Sequence, residues 1–299
     1  MPVFVWEGTS RNGENRKGEM NVMSVSLLRL RDGRIALFYL RKNSTADCHP
    51  YLRTSADEGA TWSTPSLCIP EEGYWVLNND RVIELQSSRL VMPVALHTAS
   101  VEGYSQRGVA MTYLSDDAGR TWRRSKTVLE CPEPSKAGFQ EPGVVELKNG
   151  RLMMFIRTRL GCQYLSYSKD SGETWSPARP SDILSPQAPA SVKRIPTTGD
   201  LLMVWNDHKG MPADFLARDE DSDSRGGKRT PLTLAISKDE GRTWIHRRNL
   251  MTDPTGWYCY IAIHFDKENV LLGYVSGGSG LPTLSKTDIA IVPIVSLYE

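Results

Sequence analysis

The pattern S-x-D-x-G-x-T-W is written four times in this chain, at Ser55–Trp62, Ser115–Trp122, Ser168–Trp175 and Ser237–Trp244. Five fixed positions recurring four times in 299 residues are beyond coincidence, and each residue type has a task in a tight turn. The Asp carboxylate bonds back to nearby backbone N–H groups, Gly takes positive φ, and Ser or Thr hydroxyls close the loop. The Trp that follows buries a large ring beside the next strand and leaves its N–H to find an acceptor. The copies begin 60, 53 and 69 residues apart, room for several short strands each.

Those strands are legible. Val22–Leu30, Arg34–Leu40 and Tyr51–Thr54 precede the first turn, with Arg31-Asp32-Gly33 as a polar hairpin between the first pair. The order returns as Arg81–Leu85, Arg89–Leu96 and Val109–Leu114, then Gly143–Leu147, Arg151–Arg157 and Gln163–Tyr167, then Ala190–Ile195, Asp200–Trp205 and Leu232–Ile236. A fifth round, Tyr258–Phe265, Asn269–Val275 and Thr287–Val295, lacks the motif. No helix-period segment interrupts the series. The expected fold is therefore all-β, a single β-propeller domain over residues 1–299 with five recognisable four-stranded blades. Pairing of Val3-Phe4-Val5 with the last blade's outer strand would close the ring; an open ring would hide its edges by homo-oligomerisation.

Composition narrows the partners. With 36 basic and 35 acidic residues the net charge is +1, which gives no electrostatic case for nucleic acid or membrane surfaces. No stretch approaches the apolar length of a membrane span. The five cysteines, Cys48, Cys68, Cys131, Cys162 and Cys259, are odd in number and scattered, so neither a disulfide framework nor a metal site is indicated, and no cofactor is expected. Met1 to Glu7 lacks the basic start and apolar run of a signal peptide. That leaves a cytoplasmic chain and a processed or leaderless secreted one both open. The polar run between Asn206 and Thr230, rich in acids from Arg218 to Gly227, lacks the glycine and terminal glutamate spacing of a calcium-binding EF-hand loop and reads as a flexible or solvated loop.

In a propeller the first strand of each blade lines the central channel, so residues just before those strands gather at one mouth. Here they are Asn78-Asn79-Asp80-Arg81, Gln140-Glu141-Pro142, Ala188-Pro189-Ala190-Ser191 and Trp257-Tyr258-Cys259-Tyr260. Convergent polar groups at such a mouth mark a ligand site.

With its four Asp boxes, the chain resembles the sialidase (neuraminidase) superfamily. Glu141-Pro142-Gly143-Val144-Val145-Glu146-Leu147, continued through the hairpin to Arg157, is similar to the family stretch that carries a glutamate and then an arginine. The resemblance implies that Glu141 activates a tyrosine nucleophile and that Arg157 grips a substrate carboxylate. Arg229 corresponds to a second family arginine, and Tyr260-Ile261-Ala262-Ile263 to the tyrosine segment. The chemistry is coherent. Sialic acid carries a carboxylate at its anomeric carbon, which repels an anionic nucleophile; a neutral tyrosine avoids that but needs a base. Arginines supply the planar fork a carboxylate fits.

Departures accompany the match. The family's six blades place three Asp boxes ahead of the glutamate and this chain places two, so its first blade, with an Arg-Ile-Pro arginine and the acid/base aspartate, is missing or incomplete. Arg194-Ile195-Pro196 sits at the end of its strand and does not substitute. The glutamate that follows the family's tyrosine segment is absent, with Val275 after Tyr274. Asp47 and Asp80 are the available acids; His49, His97 and His208 follow strands in loops. The expected activity is exo-hydrolysis of a terminal sialic acid with Tyr260 and Glu141 as nucleophile pair and Asp47 or Asp80 as acid. Arg157, Arg229, Arg81, Asn79, Gln140 and Tyr258 would hold the sugar. A non-catalytic glycan-binding propeller, and a hydrolase or lyase acting on another acidic sugar such as a uronide, are the alternatives.

Overall fold

The computed structural model describes residues 21–100, 103–212 and 227–299. The Val3-Phe4-Val5 segment and most of the acidic run after Arg218 lie outside them. The chain divides into two compact units, Met1–Pro142 with Ser168–Trp175, and Gly143–Tyr167 with Ser176–Glu299. Among the described residues the regular elements are strands, apart from one short 3₁₀ turn, Ile294–Tyr298.

In the first unit, β1 (Asn21–Arg29), β2 (Ile35–Lys42), β3 (Cys48–Ser55), β4 (Ser66–Leu67), β5 (Tyr74–Val76), β6 (Ile83–Glu84), β7 (Leu90–Ser100), β8 (Gly103–Ser115) and β9 (Arg123–Arg124) form one sheet. The sequence reads two rounds here, and the structure joins them through β5, which pairs parallel to β3 at Cys48↔Tyr74 and antiparallel to β7. The strict alternation of β2 turns Ala36, Phe38 and Leu40 inward, where Phe38 faces Leu52 of β3 across the ladder. Trp75 meets Tyr113 edge-on at 5.5 Å in the same core. Each such ring or branched side chain contributes about 1.5–3 kcal/mol on burial. The expected strand Arg81–Leu85 shrinks to β6, because Arg81 and Val82 stay outside any ladder.

Two four-stranded sheets follow, β10 (Gln140–Glu146), β11 (Leu152–Arg157), β12 (Cys162–Ser168) and β13 (Arg179–Leu184), then β14 (Ser191–Arg194), β15 (Leu201–Trp205), β16 (Leu232–Ser237) and β17 (Ile245–Met251). Their middle strands β11, β15 and β16 are buried at every position; β15 is an unbroken apolar run, as is β11 up to Arg157, while β16 also buries Thr233 and Ser237. The last sheet has three strands, β18 (Gly256–Phe265), β19 (Asn269–Gly278) and β20 (Leu281–Pro293). β20 ends at Pro293, which has no N–H to continue a ladder, and the expected extension to Val295 becomes the 3₁₀ turn. Within the second unit Ser191 Oγ donates to Ile261 O at 2.7 Å and Lys193 Nζ to Ile263 O at 2.8 Å, tying β14 to β18.

The four Asp boxes are near copies in three dimensions. The Ser hydroxyl donates to the Asp carboxylate at 2.7–2.8 Å, and the Thr hydroxyl and backbone N–H donate to it at 2.6–2.9 Å. The four glycines hold φ of 83 to 89°, a region where only glycine is unstrained. Thr61 bonds pull the Asp57 carboxyl down to about 2. At Asp117 burial works the other way, but the Thr121 and Ser115 bonds prevail and again bring it to about 2. Trp122 and Trp175 give their N–H to the box glycine carbonyl at 3.1 and 3.2 Å, and Trp175 also to Thr112 Oγ1 at 3.0 Å. Trp244 Nε1 is buried without an acceptor.

Candidate functional site

Four strand beginnings share a backbone device. Ser24, Asp80, Glu141 and Tyr260 have φ of 56, 54, 42 and 56°, a region that costs a residue with a side chain about 1–3 kcal/mol. Glu141 is the second residue of β10, Ser24 and Tyr260 are the fourth and fifth residues of β1 and β18, and Asp80 lies in the turn ahead of β6. In β1 and β18 the ladder skips here, between Met23 and Ser26 and between Cys259 and Ala262. Such bulges bend the strand and re-aim a side chain. Of the eleven non-glycine positions with positive φ among the described residues, three are those singled out for acid, base and nucleophile, and four recur just before the glycine of each Asp box.

The bulge explains why Tyr258 and Tyr260 part company. Alternation would put both on one face. Instead Tyr258, Ile261 and Ile263 point into the core, one step out of phase, and Tyr260 is left half-buried on the other side. Tyr258 stands edge-on to Tyr274 at 6.2 Å, with its hydroxyl pKa raised by burial. It belongs to the core.

Around Tyr260 the second unit assembles a cation without an anion. Arg229 precedes β16, and its position is pinned: its carbonyl accepts the Tyr258 N–H at 2.9 Å, and Asn206 Nδ2 bridges Pro231 O and Tyr258 O at 3.1 Å each. The Arg229 guanidinium lies 4.8 Å from the Trp257 ring centre and 5.3 Å from that of Tyr260. It is 2 % exposed. Nη2 donates to Gln187 O at 3.3 Å; Nε and Nη1 are buried with no acceptor. Among the described residues no carboxylate lies within ion-pairing distance of Arg229. Desolvating such a charge costs several kcal/mol. Two ring faces return about 2 and one long hydrogen bond about 1 kcal/mol. The balance is unfavourable until an anion is supplied. Gln163 Oε1, Asn206 Oδ1 and Trp257 Nε1 are also buried without partners in this unit, while Gln163 Nε2 holds Ser185 Oγ and Ala188 O at 2.8 and 2.9 Å. Arg157, 6 % exposed, ends β11.

The first unit holds the other group. Arg81 is buried beside Glu141 and Asp80; burial lowers its pKa to about 10 while the two acids oppose the fall, so it stays protonated at neutral pH. Gln140 is buried at the first position of β10, and Asn79 donates its backbone N–H to Asn78 Oδ1 at 2.8 Å. Asp47 sits at the tip of the β2–β3 hairpin, well away in the chain from that group, accepting from Asn43 Nδ2 at 3.0 Å with His49 Nε2 at 3.4 Å. His208 Nε2 meets Lys228 O at 2.9 Å, and His97 stands edge-on to Tyr74. Arg194 is structural, bonded to Glu240, Gly199 O and Glu146 O at 2.6–2.9 Å. Among the described residues no cluster of His, Cys, Asp or Glu could hold a metal ion, and no helix is long and apolar enough to cross a membrane.

Sequence reasoning missed Trp257, Gln187, Asn206 and Gln163 as parts of the Arg229 surroundings. Trp257 carried a signal, as an aromatic residue in the segment that holds the tyrosine. The three amides carried none.

The BNR repeat-like domain family matches residues 2–275. An anhydrosialidase of Macrobdella decora is 28% identical over 234 residues, 72% of this chain and 27% of that protein. A sialidase of Micromonospora viridifaciens is 27% identical over 215 residues, 66% of this chain and 29% of that protein. The chain thus spans under a third of the length of these curated relatives. The solved Hadza microbial sialidase Hz136 superposes with a TM-score of 0.69 at 18% identity, covering 93% of this chain and 53% of that one. The fold is therefore the sialidase-type β-propeller.

Proposed function

This chain belongs to the BNR repeat-like domain family of the sialidase superfamily, and we propose that it hydrolyses the bond to a terminal acidic sugar, sialic acid first among them. The observation that carries this reading is Arg229, a buried guanidinium with two unsatisfied N–H donors and no carboxylate, stacked on Trp257 and Tyr260. Nη1 and the second hydrogen of Nη2 form the end-on fork that a sugar carboxylate fits. Because those atoms are closed off, the half-buried Trp257 and Tyr260 rings must give way as the acid arrives.

The residue roles follow the family resemblance. Tyr260 Oη attacks the anomeric carbon and its proton goes to Glu141. The departing oxygen takes a proton from Asp47 or Asp80, and water then releases the sugar with retention of configuration. Arg157 and Arg81 join Arg229 in binding acid, with Asn79 and Gln140 as polar contacts. Tyr258 supports Tyr260 from the core. Release of sialic acid from a chromogenic sialoside tests the scheme in wild type, Tyr260→Phe and Glu141→Gln. Equal rates in wild type and Tyr260→Phe would remove Tyr260 from the mechanism.

A glycan-binding protein without turnover is the second reading, favoured by Val275 where the family has a glutamate. Saturable binding of sialic acid that quenches tryptophan fluorescence, with no product after long incubation, would select it. A panel that includes a uronide glycoside distinguishes the acidic sugar.

A further inference from the structure

In three rounds the hairpin between the first two strands ends on an arginine: Arg34, Arg89 and Arg151. Two of them are neutralised. Arg34 Nε and Nη2 hold Asp32 Oδ2 of the same hairpin at 2.9 and 2.7 Å. Arg89 holds Asp116 at 2.6 and 3.1 Å and reaches the third Asp box, bonding Glu173 at 3.0 Å and Ser171 O at 3.3 Å.

Arg151 has neither device. Asn149 stands where Asp32 stands; its Oδ1 accepts the Arg151 backbone N–H at 3.1 Å, as Asp32 does for Arg34 at 3.0 Å, but it brings no charge. The sixth residue of the next Asp box, Glu173 for Arg89, is Arg242 for Arg151. Where the first unit has the Arg89–Glu173 ion pair, the second has an open cavity of about 420 Å³, walled by Arg151, Arg242, Lys148, Tyr167, Asp239 and Glu240. The two acids are already engaged. Asp239 accepts from Ser237 and Thr243 at 2.7–2.8 Å, and Glu240 from both Arg194 Nη atoms at 2.9 and 2.8 Å and from the Lys148 N–H at 2.6 Å. The Arg151 guanidinium lies 5.1 Å from the Tyr167 ring centre, and its Nε is buried without an acceptor. Among the described residues no carboxylate is within ion-pairing distance of Arg151 or Arg242.

We propose that this cavity is an oxyanion site, separate from Arg229, in which Arg151 and Arg242 grip a carboxylate or sulfate, free or carried by a sugar. The ring under Arg151 holds its fork in place, so little side-chain freedom is lost on binding. The volume admits one sugar ring with its acid group. The inference does not depend on turnover, and it stands or falls apart from the hydrolase reading.

Calorimetric titration at fixed ionic strength with inorganic sulfate and with D-glucuronate tests it. In an Arg229→Met background, where the proposed sugar-acid clamp is removed, each probe should bind saturably at one site, about tenfold or more weaker when Arg151→Gln or Arg242→Gln is added. Arg242→Glu rebuilds the ion pair of the first unit and should abolish binding. Arg229→Met should leave the affinity within about twofold, as separate sites do not couple. Arg242 is exposed, so its variants keep the test intact if Arg151→Gln disturbs the packing on Tyr167. Tighter binding of glucuronate assigns the site to a sugar acid, and tighter binding of sulfate to a free anion; both keep the proposal. No saturable binding of either probe, or unchanged affinity in Arg242→Glu, overturns it.

Discussion

The Asp-box turns and the strand beginnings use the same polar residue types to opposite ends. In the boxes every Asp oxygen has a short donor, and positive φ falls both on the fixed glycine and on the residue before it, Glu58, Ala118, Ser171 and Glu240, at 55 to 63°. At the strand beginnings positive φ falls on Asp80, Glu141 and Tyr260, and Arg229 keeps two donors empty beside Tyr260. The two regions share the torsion and differ in their polar groups: the box carboxylates are satisfied, and the Arg229 donors are not. Unmet demand in a buried place is what a ligand can satisfy, so the contrast separates scaffold from site without reference to conservation.

The largest effect expected from breaking this contrast is at Arg229. Arg229→Met should lower kcat/KM for a sialoside by about 10²–10³, the equivalent of 3–4 kcal/mol of charge-assisted bonding in the transition state. The same change should leave unfolding free energy unaltered or higher, since it deletes an uncompensated buried charge. Steady-state kinetics beside urea denaturation check both halves. A loss above about 2 kcal/mol of stability would show that Arg229 serves the scaffold.

Asp117 should behave in the reverse sense. Asp117→Ala frees Ser115 Oγ, Thr121 N and Thr121 Oγ1, which bond the carboxylate at 2.6–2.9 Å. At about 1 kcal/mol for each of these partly exposed bonds, the variant should lose about 1–3 kcal/mol of stability. Its kcat/KM per folded molecule should stay within about twofold of wild type.

The same carboxylates set an acid limit. The folded values of Asp57 and Asp117, about 2, lie below the unfolded value near 3.8. Groups lowered by folding contribute fully above the unfolded value and lose their contribution as pH falls through the folded one. Tm should therefore fall between about pH 4 and pH 2, and replacing both residues by Asn should flatten that slope. A slope unchanged in the double variant would place the acid sensitivity elsewhere.

Legibility in the sequence follows the range of the interactions involved. The Asp boxes were readable because Ser, Asp, Gly and Thr bond within eight residues, and the middle strands because burial on both faces demands apolar runs. The joining of two rounds through β5 was not readable, since Tyr74–Val76 is too short to show a period. The division of labour between Tyr258 and Tyr260 was not readable, since it depends on one extra residue in the ladder between Cys259 and Ala262. Arg229 was readable as a residue; its lack of a counter-charge needed Gln187, Trp257 and Tyr260 in three dimensions.

The smallest expected effect isolates the strain itself. Ser24 shares the positive φ of Tyr260 and the skipped ladder of β1, yet no catalytic role is proposed for it. Positive φ is not reserved for chemistry, since Glu58, Ala118, Ser171 and Glu240 carry it in the Asp boxes, and Ser24 is a place where it can be removed without loss of the proposed site. Ser24→Gly should raise stability by about 0.5–1 kcal/mol, because glycine adopts that backbone freely and the relief exceeds its greater unfolded-state freedom. Turnover should not change. At Tyr260 the same substitution would relieve the same torsion and destroy the proposed nucleophile. A Ser24→Gly protein that is less stable, measured by denaturant midpoint at constant slope, would mean that Ser24 contacts hold the bulge and outweigh the relief of its torsion.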